Sequence, residues 1–587
     1  MSLTTDLTAV VAAAFEAEGL SAEYGRVIAS DRPDLCQFQC NGALAAAKAA
    51  KTNPRAIGEA VAARLKDDAR FADIAVAGPG FLNMTLTDEA LGAVASDLVA
   101  DGTGALPAAP TRETIVIDYG GANVAKPLHV GHLRAAIIGE SVKRIFRAFG
   151  HEVIGDVHLG DWGLQMGQLI STLALERPEL PHFDESFDGP YPDEPVITLK
   201  DLEELYPRAS KASKEDEDRR DAARRATAEL QAGRAGYRAL WRDFVKVSVP
   251  VVRAEYAELG VDFDLWKGES DVQDLIPGMV EDLKAKGVTE MSDGALVIRV
   301  ARESDKKEIP PLILVTRDGS AVYATTDLAT ILDRKQDLTP DRALYVVDQR
   351  QAQHFEQVFR AADLAGLAPE DRLEHIGFGT MNGTDGKPFK TRAGGVLRLR
   401  DLIDMVHERA RARIDEGGYG EELPEAERDD IARKVGVAAL KFADLSNPRT
   451  TDYVFDLDRF LSFEGKTGPY LLYALVRINS LLKRAENEGV VAEGTLIVEG
   501  EPERALVLTL AAFEDAARAS AERRMPHLIC EHAFLLAQSF AKFYAARRVM
   551  DEADAALKTS RLAFAAAIRE QLKACLDLLA IDAPERM

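Results

Sequence analysis

The chain has 587 residues, enough for about three or four domains, and its 47% apolar and 29% charged content is that of a globular protein. It contains no apolar run near the roughly 18 residues that cross a bilayer, and its N-terminus lacks the basic segment of a signal peptide. We therefore expect no membrane partner. The formal net charge of −24 argues against a protein that binds nucleic acid over its whole surface, although a local basic patch is compatible with it.

Four cysteines are present, at positions 36, 40, 530 and 575. Cys36 and Cys40 form a C-x3-C pair that has no second pair and no nearby histidine, so we expect no protein-bound zinc. So few cysteines are better interpreted as reduced thiols of a cytoplasmic protein.

Residues 1–106 have a pattern of their own, which predicts a small N-terminal α+β domain. The chain begins with a helical pattern, and IAVAGPGFLNMTL (74–86) predicts two short strands around a Gly-Pro-Gly turn with a helix after them. The segment DGTGALPAAP (101–110) is rich in glycine, proline and alanine, which is typical of a linker.

A strand, a loop, a helix and a second strand follow the linker. TIVID (114–118) is an apolar, β-branched run, and YGGAN after it is rich in turn residues. HLRAAIIGESVKRIFRAFG has apolar residues at helical spacing and stops at Gly150, and HEVIGDVHLGDWG then supplies another strand. This order is the βαβ unit of a parallel sheet, whose ligands bind at the carboxyl ends of the strands.

The parallel-sheet domain is predicted to span residues 107–400. Approximately residues 180–260 are strongly charged and predict a solvated helical insertion. Strand-like runs return at ALVIRV (295–300), LILVT (312–316), ALYVV (343–347) and HIGFG (375–379). Because helical patterns lie between most of them, these four runs predict the second half of the same sheet.

The remaining chain is almost wholly helical by pattern. Residues 401–460 predict a connecting helical region, and residues 461–587 predict a bundle of helices such as YLLYALVRINSLLKRA and AFLLAQSFAKFYAARRVM. The predicted fold class is therefore multidomain α/β plus all-α. It combines a small α+β N-terminal domain, a Rossmann-like parallel-sheet domain and a C-terminal helical bundle.

The stretch KPLHVGHLR (126–134) lies where the loop after the first strand enters the helix. His129 and His132 would share one side of the first helical turn, and Gly131 between them lets the backbone approach a ligand. A helix N-terminus presents free amides, so imidazoles there could donate hydrogen bonds to phosphate oxygens. The alternative is a metal site, for which His158 is the nearest third histidine.

These residues carry a resemblance to a known family. H-x-G-H at the first strand-helix junction resembles the signature of class I aminoacyl-tRNA synthetases and related nucleotidyl transferases. The longer string NVAKPLHVGHLR, with GDWG at 160–163, is similar to the arginyl-tRNA synthetase family. The second class I signature is a KMSKS-type loop, and KPFKT within GTDGKPFKTRAGG (383–395) resembles it.

The resemblance implies a Rossmann-like catalytic domain in which an amino acid carboxylate attacks the α-phosphate of ATP, giving an aminoacyl-adenylate and pyrophosphate. The amino acid then passes to the 3′ end of tRNA, and the family requires tRNA for activation. The implied catalytic residues are His129, His132, Lys387 and Lys390, and ATP, a substrate that arrives with Mg2+, is bound by these four together with Lys126 and Gly131. Lysines on flexible stems suit the leaving pyrophosphate.

Arginine specificity requires a carboxylate partner for the guanidinium group. Tyr323 and Asp327, at i,i+4 spacing in a predicted helix, share one face. The resemblance implies that they contact the substrate side chain, and the remaining implied substrate contacts are Asp118 and Asn123 at the amino and carboxylate groups, and Gln351. Without the resemblance, Asp327 is better interpreted as an ordinary acid near a helix N-terminus, and Asp118 could instead cap the following turn.

The two ends of the chain resemble the parts of the family that bind tRNA. EGKTGPYLLYALVRINSLL resembles the start of the anticodon-binding helical domain, and the N-terminal region resembles the domain that contacts the tRNA elbow. Basic clusters such as RLRDLIDMVHERARAR offer a local phosphate track, and Tyr470 could stack on an unpaired anticodon base. The expected partners are L-arginine, ATP and the tRNA for arginine, bound by a monomer.

Two other functions compete with an arginine–tRNA ligase. One is a nucleotidyl transferase that adenylylates a small molecule without RNA, which would have no need of the N-terminal and helical regions. The other is a non-catalytic RNA-binding relic of a synthetase, which would have lost signature residues. Both histidines and both loop lysines are present here, so the sequence favours the enzyme.

Overall fold

The computed structural model describes residues 2–33, 35–317, 319–383, 386–387, 397–492 and 494–587. The N-terminal elements are α1 (Leu3–Ala17), β1 (Val27–Ala29), β2 (Phe38–Cys40), α2 (Gly42–Ala50), α3 (Pro54–Leu65), β3 (Phe71–Ala77), β4 (Phe81–Leu86) and α4 (Asp88–Asp101). The strands pair antiparallel in the order β1-β2-β4-β3. β3 and β4 flank the Gly-Pro-Gly turn as predicted, and α4 follows with Thr87 as its N-cap.

Four parallel strands form the central sheet. Its first half and the helical segment after it comprise β5 (Thr114–Asp118), α5 (Val130–Ala148), β6 (Glu152–Asp156), α6 (Leu164–Glu176), α7 (Leu199–Glu215), α8 (Glu217–Gln231) and α9 (Ala235–Glu258). The following elements are α10 (Ile276–Ala285), β7 (Glu290–Ser292), β8 (Ala295–Ile298), β9 (Leu312–Val315), α11 (Tyr323–Asp337), β10 (Arg342–Tyr345), α12 (Ala352–Leu364), β11 (Leu373–His375) and β12 (Met381–Asn382). The sheet order is β11-β10-β5-β6, so the predicted βαβ unit is confirmed.

Two of the four later strands lie outside this sheet. β8 and β9, from the runs at 295–300 and 312–316, form a separate antiparallel sheet in the order β7-β8-β9, so their predicted place in the parallel sheet is wrong. Parallel neighbours need a long crossover, usually a helix. The fully described segment 299–311 contains no helix, which fits the antiparallel pairing of β8 with β9. β10 overlaps the third predicted run at residues 343–345, and β11 ends at His375, where the fourth run begins.

Helices make up almost all of the remaining chain. They are α13 (Leu399–Glu416), α14 (Glu425–Leu445), α15 (Leu457–Phe460), α16 (Gly468–Asn487), α17 (Glu501–Ala511), α18 (Phe513–Arg523), α19 (His527–Ala546) and α20 (Ala555–Leu578). A short strand, β13 (Tyr453–Val454), pairs in parallel with β12. The predicted fold class is confirmed, and in the described part of the chain no helix is both long enough and apolar enough to span a membrane.

The first helix of the parallel sheet, α5, is tied to the helical region by a buried ion pair. The Nε atom of Arg134 lies 3.0 Å from Oδ2 of Asp444 on α14, and the two side chains are 2% and 0% exposed. Arg134 Nη1 also donates to the carbonyl oxygen of Thr451 at 3.2 Å. A buried guanidinium needs such partners, because an unpaired charge in this environment is strongly unfavourable.

Polar side chains also fix the second half of α5. The Glu140 carboxylate lies 2.8 Å from Lys143 Nζ and accepts hydrogen bonds from Arg144 Nε and Tyr119 Oη, each at 2.8 Å. Ser141 Oγ donates to the carbonyl oxygen of Leu578, the last residue of α20, at 2.8 Å. The helix is therefore held along its length by the central sheet and by the C-terminal helices.

Replacing Arg134 by Met is expected to destabilise the protein by about 3–5 kcal/mol, because Asp444 would keep a buried charge without its partner. Chemical unfolding followed by circular dichroism measures the loss. Arg55→Ala is the control, since Arg55 forms an exposed pair with Glu59, and an exposed pair contributes about 0–1 kcal/mol. Equal effects of the two substitutions would contradict the dependence of α5 on Arg134.

Candidate active site

The central sheet aligns a row of polar side chains at the carboxyl ends of its strands. Asp118 at the end of β5 is in register with Tyr345 on β10 and with Asp156 on β6. Ligands of open α/β sheets bind at this edge, outside the strand ends. The loop from β5 into α5 starts here, so the HVGH motif (residues 129–132) and the row of strand ends belong to one site.

The loop between β5 and α5 is fixed by the GDWG loop after β6. Val124 N donates to the carbonyl oxygen of Gly160 at 3.0 Å, and Gly160 N donates to that of Ala122 at 2.9 Å. Asn123 Oδ1 accepts a hydrogen bond from Gln165 Nε2 at 3.3 Å. A Cβ atom on Gly160 would lie 2.4 Å from Asn123 Oδ1. A side chain at position 160 would therefore displace the Asn123 amide from its place between the two loops.

The two histidines of the HVGH motif form the N-terminal cap of α5. Gly131 N donates to His129 Nδ1 at 3.0 Å, and His129 N donates to His132 Nδ1 at 3.0 Å. The rings stack with their centroids 3.9 Å apart, and a Cβ atom on Gly131 would lie 2.8 Å from the His129 ring. Because each Nδ1 accepts a hydrogen bond, each neutral ring carries its proton on Nε2, the atom that can donate to a ligand.

Burial keeps both rings neutral. Burial and the charge of Lys126 lower the pKa of His129 to about 4, and burial with His129 and Lys126 lowers the pKa of His132 well below its ordinary value. Burial also lowers the pKa of Lys126, whose Nζ lies 5.9 Å from the ring centroid of Tyr206. Two neutral N–H groups beside an amine are donors suited to phosphate oxygens.

The segment that contains KPFKT ends beside the HVGH motif. Val130 N donates to the carbonyl oxygen of Leu397 at 3.1 Å, and Leu399 N donates to that of Leu128 at 2.9 Å. The upstream end of the segment is held by the pairing of β12 with β13. Lys387 is exposed, and Lys390 lies outside the described residues. Both ends of the 383–396 segment are therefore anchored, one of them against the HVGH motif.

Tyr323 and Asp327 lie at the beginning of α11. Asp327 Oδ2 is 2.6 Å from His354 Nε2, and the Tyr323 ring packs against the His354 ring with centroids 4.3 Å apart. Tyr323 is 56% exposed, and Gln351, in the turn before α12, is exposed as well. An acid with an aromatic ring beside it is a suitable receptor for a planar cation.

Arg334, which no sequence motif marks, joins the carboxylates at the strand ends. Its Nη2 donates to Asp118 Oδ2 and to Asp156 Oδ2, each at 2.7 Å. Ligand atoms of Asp118, Asp156 and His158 lie within 4.8 Å of one another, which is a grouping that can hold a metal ion. Because a guanidinium already bridges the two carboxylates, a metal ion there would have to displace Arg334. The sequence did contain a signal for Arg334, because it follows Asp327 by two turns of α11 and therefore lies on the same helical face.

Glu269 is a second acid near Asp327, and the motifs did not reveal it. Burial raises the pKa of Glu269 to about 7; His158 opposes this shift, and Asp161 and Asp327 add to it. A cation bound between Glu269 and Asp327 would relieve this unfavourable charge. Glu269 begins a short 3-10 helix, Glu269–Leu275, which carries no recognisable sequence signature.

Three family models together match most of the chain. Residues 93–457 match "tRNA synthetases class I (R), catalytic domain", and residues 471–587 match "DALR anticodon binding domain". Residues 1–86 match "Arginyl tRNA synthetase N terminal domain". The parallel sheet with its HVGH helix is therefore the catalytic domain of a class I aminoacyl-tRNA synthetase.

Relatives of similar length narrow this class further. Proteins named arginine–tRNA ligase from Hyphomonas neptunium and Maricaulis maris are 56% and 54% identical to the chain, and each match covers 100% of both proteins. Arginyl-tRNA synthetase structures from Plasmodium falciparum and Thermus thermophilus have TM-scores of 0.81 and 0.79 at 23% and 24% identity, covering 100% of this chain and 99% and 100% of theirs. At that identity the likeness concerns the fold alone. The chain belongs to the arginyl-tRNA synthetase family, as its motifs predicted.

The imidazole ring of His129 is expected to stay neutral from about pH 8 to about pH 5, because its pKa is about 4. Ring-carbon chemical shifts in an NMR titration measure this, and His129→Asn identifies the signal. The unfolded chain takes up a proton on this ring below about pH 6.5, so the free energy of unfolding should fall as pH drops from about 6.5 towards 4. A ring that titrates near its ordinary pKa would contradict the burial argument.

Proposed function

We propose that this chain is an arginine–tRNA ligase that activates L-arginine with ATP and transfers it to the 3′ end of its tRNA. The observation that best supports this proposal is the placement of two kinds of site at one sheet edge. His129 and His132 offer neutral donors suited to phosphates, whereas Asp327 and Glu269 offer two acids suited to a guanidinium group. The names of full-length relatives at 56% and 54% identity agree with this assignment.

In the proposed reaction, His129 and His132 donate from Nε2 to the phosphates of ATP. These hydrogen bonds strengthen as charge develops during attack of the arginine carboxylate on the α-phosphate. Lys126 adds a donor from the same loop, and Lys387 and Lys390 contact the leaving pyrophosphate. Mg2+ enters with ATP and is held mainly by phosphate oxygens and water.

The arginine side chain binds with its guanidinium group between Asp327 and Glu269, beside the ring of Tyr323. The charge of Asp327 adds to the raised pKa of Glu269, and a cation bound beside both acids would relieve that repulsion. The proposed contacts with the rest of the substrate are Asp118 at the α-amino group, Asn123 at the carboxylate, and Gln351.

The tRNA binds across the domains at the two ends of the chain. The proposed boundaries are 1–106 for the elbow-binding domain, 107–400 for the catalytic domain with its insertion at about 180–260, 401–460 for the connecting region and 461–587 for the anticodon-binding domain. Tyr470, whose ring lies 5.8 Å from that of Phe534, is the proposed contact with an anticodon base. The enzyme is proposed to act as a monomer in the cytoplasm, which fits its four free cysteines.

Arginine-dependent exchange of labelled pyrophosphate into ATP tests the proposed function. Exchange is expected with arginine and only after tRNA is added, because the family couples activation to tRNA. No exchange under any condition would refute the enzymatic assignment, and exchange driven by another small molecule would favour a different nucleotidyl transferase. Exchange with arginine in the absence of tRNA would remove the tRNA requirement alone.

Asp327→Ala is expected to raise the KM for arginine by about 30-fold or more, because loss of a charge-assisted pair costs about 2–5 kcal/mol. The KM for ATP should change little, and steady-state kinetics of tRNA arginylation measure both. Asp333→Asn is the matched control on the same helix, since Asp333 pairs with Lys267 at 2.6 Å. Similar changes in both KM values would place Asp327 outside the arginine pocket.

A further inference from the structure

We propose that Arg334 and Asp156 are positioning residues for the α-ammonium group of the substrate. Arg334 cross-links Asp118 to Asp156, so that the three side chains together present one net negative charge to that group. The inference rests on the proposed function, in which Asp118 binds the ammonium group. It adds two residues that act through Asp118 and do not contact the substrate themselves.

A single guanidinium nitrogen makes both contacts of the cross-link. Arg334 Nη2 lies 2.7 Å from Asp118 Oδ2 and 2.7 Å from Asp156 Oδ2. The two acids are in register on neighbouring parallel strands, so their carboxylates meet at the strand ends. The side chains of Arg334 and Asp156 are 4% and 2% exposed, whereas that of Asp118 is 14% exposed. Asp118 is therefore the member of the group that a ligand reaches most readily.

The charges of the three groups determine what the site can bind. Two carboxylates this close could not both remain ionised without a cation between them. Burial raises the pKa of Asp118, and the charge of Arg334 opposes that shift. Arg334 offsets one of the two carboxylate charges, so the group as a whole carries one excess negative charge that can attract one ammonium group.

Two further titratable groups face the cluster. The Arg334 guanidinium lies 5.4 Å from the ring centroid of Tyr345, and burial raises the pKa of that phenol to about 12, so it is neutral. His158 Nδ1 lies 4.0 Å from Asp156 Oδ2, and its Nε2 lies 3.2 Å from Thr330 Oγ1. All variants are therefore compared at one fixed pH of about 8.

Arg334 lies on the same helix as Tyr323 and Asp327, the residues proposed to contact the guanidinium group of the substrate. Tyr323, Asp327 and Arg334 lie at positions i, i+4 and i+11 of α11, which share one helical face. The seven residues from Asp327 to Arg334 correspond to about 10 Å along the helix axis. One rigid helix therefore sets the separation between the contacts for the two cationic ends of arginine.

The test compares arginine with 5-guanidinopentanoic acid, which keeps the guanidinium and carboxylate groups but lacks the α-ammonium group. The inhibition constant of the analogue, divided by the KM of arginine in tRNA arginylation at about pH 8, gives the preference for the ammonium group. Asp156→Asn leaves Asp118 and Arg334 to neutralise each other. The preference is then expected to fall by about tenfold or more, while the inhibition constant of the analogue changes by less than about threefold.

The double variant Asp156→Asn, Arg334→Met returns a single negative charge to Asp118. It is expected to recover the preference to within about threefold of the wild-type value, although it removes both partners of Asp118. A purely structural role predicts the opposite, namely a further loss with the second substitution. Asp305→Asn is the matched control, because Asp305 pairs with the buried Arg360 at 2.8 Å outside the site, and the preference should not change.

An unchanged preference in Asp156→Asn would overturn the inference, and so would a double variant no better than the single one. Either variant decides the question if the other does not fold. If only Asp156→Asn folds, loss of the preference supports the inference and an unchanged preference overturns it. If only the double variant folds, a retained preference supports the inference and a lost preference overturns it. Wild-type protein that attaches no arginine to tRNA refutes the proposed function instead. Wild-type protein that attaches arginine without preferring it over the analogue overturns only the inference.

Discussion

The catalytic geometry depends on the buried ion pair between Arg134 and Asp444. This pair fixes α5 against α14, and the first turn of α5 carries the two histidines. Ser141 fixes the same helix against the end of α20. Because a buried guanidinium is strongly unfavourable without its carboxylate, α5 has one stable position relative to the helical region. The placement of the HVGH motif is thus set partly by helices that lie outside the catalytic sheet.

The burial that fixes α5 also sets the chemistry of its first turn. Imidazolium rings would bind the phosphates of ATP strongly before any reaction, and uniform binding of this kind does not accelerate a chemical step. His129, whose pKa burial lowers to about 4, remains a neutral donor. In the proposed reaction, its hydrogen bond would gain most when charge accumulates on the phosphate, so the stabilisation would fall on the transition state.

Consecutive elements were predictable from the sequence, and contacts between distant segments were not. The unit β5-α5-β6 followed from undisturbed apolar periods and a glycine stop. The apolar pattern of β8 and β9 does not say which strands they pair with. The absence of a helical pattern between them was nevertheless a sign that they pair antiparallel. The helical period of α11 could have revealed Arg334, because Arg334 lies on the same helical face as Tyr323 and Asp327. Glu269 could not be found this way, since only the fold brings its 3-10 helix towards Asp327.

The backbone pairs at the two ends of the 383–396 segment have a consequence for how its lysines meet ATP. One end is joined through β12 to β13, and the other through Leu397 and Leu399 to the start of α5. In the proposed reaction, the two lysines are joined through these described anchors to the domain that binds ATP, so their encounter with ATP depends on an effective local concentration and not on free diffusion. A change in the pairing of β12 with β13 would then alter that concentration without touching any substrate.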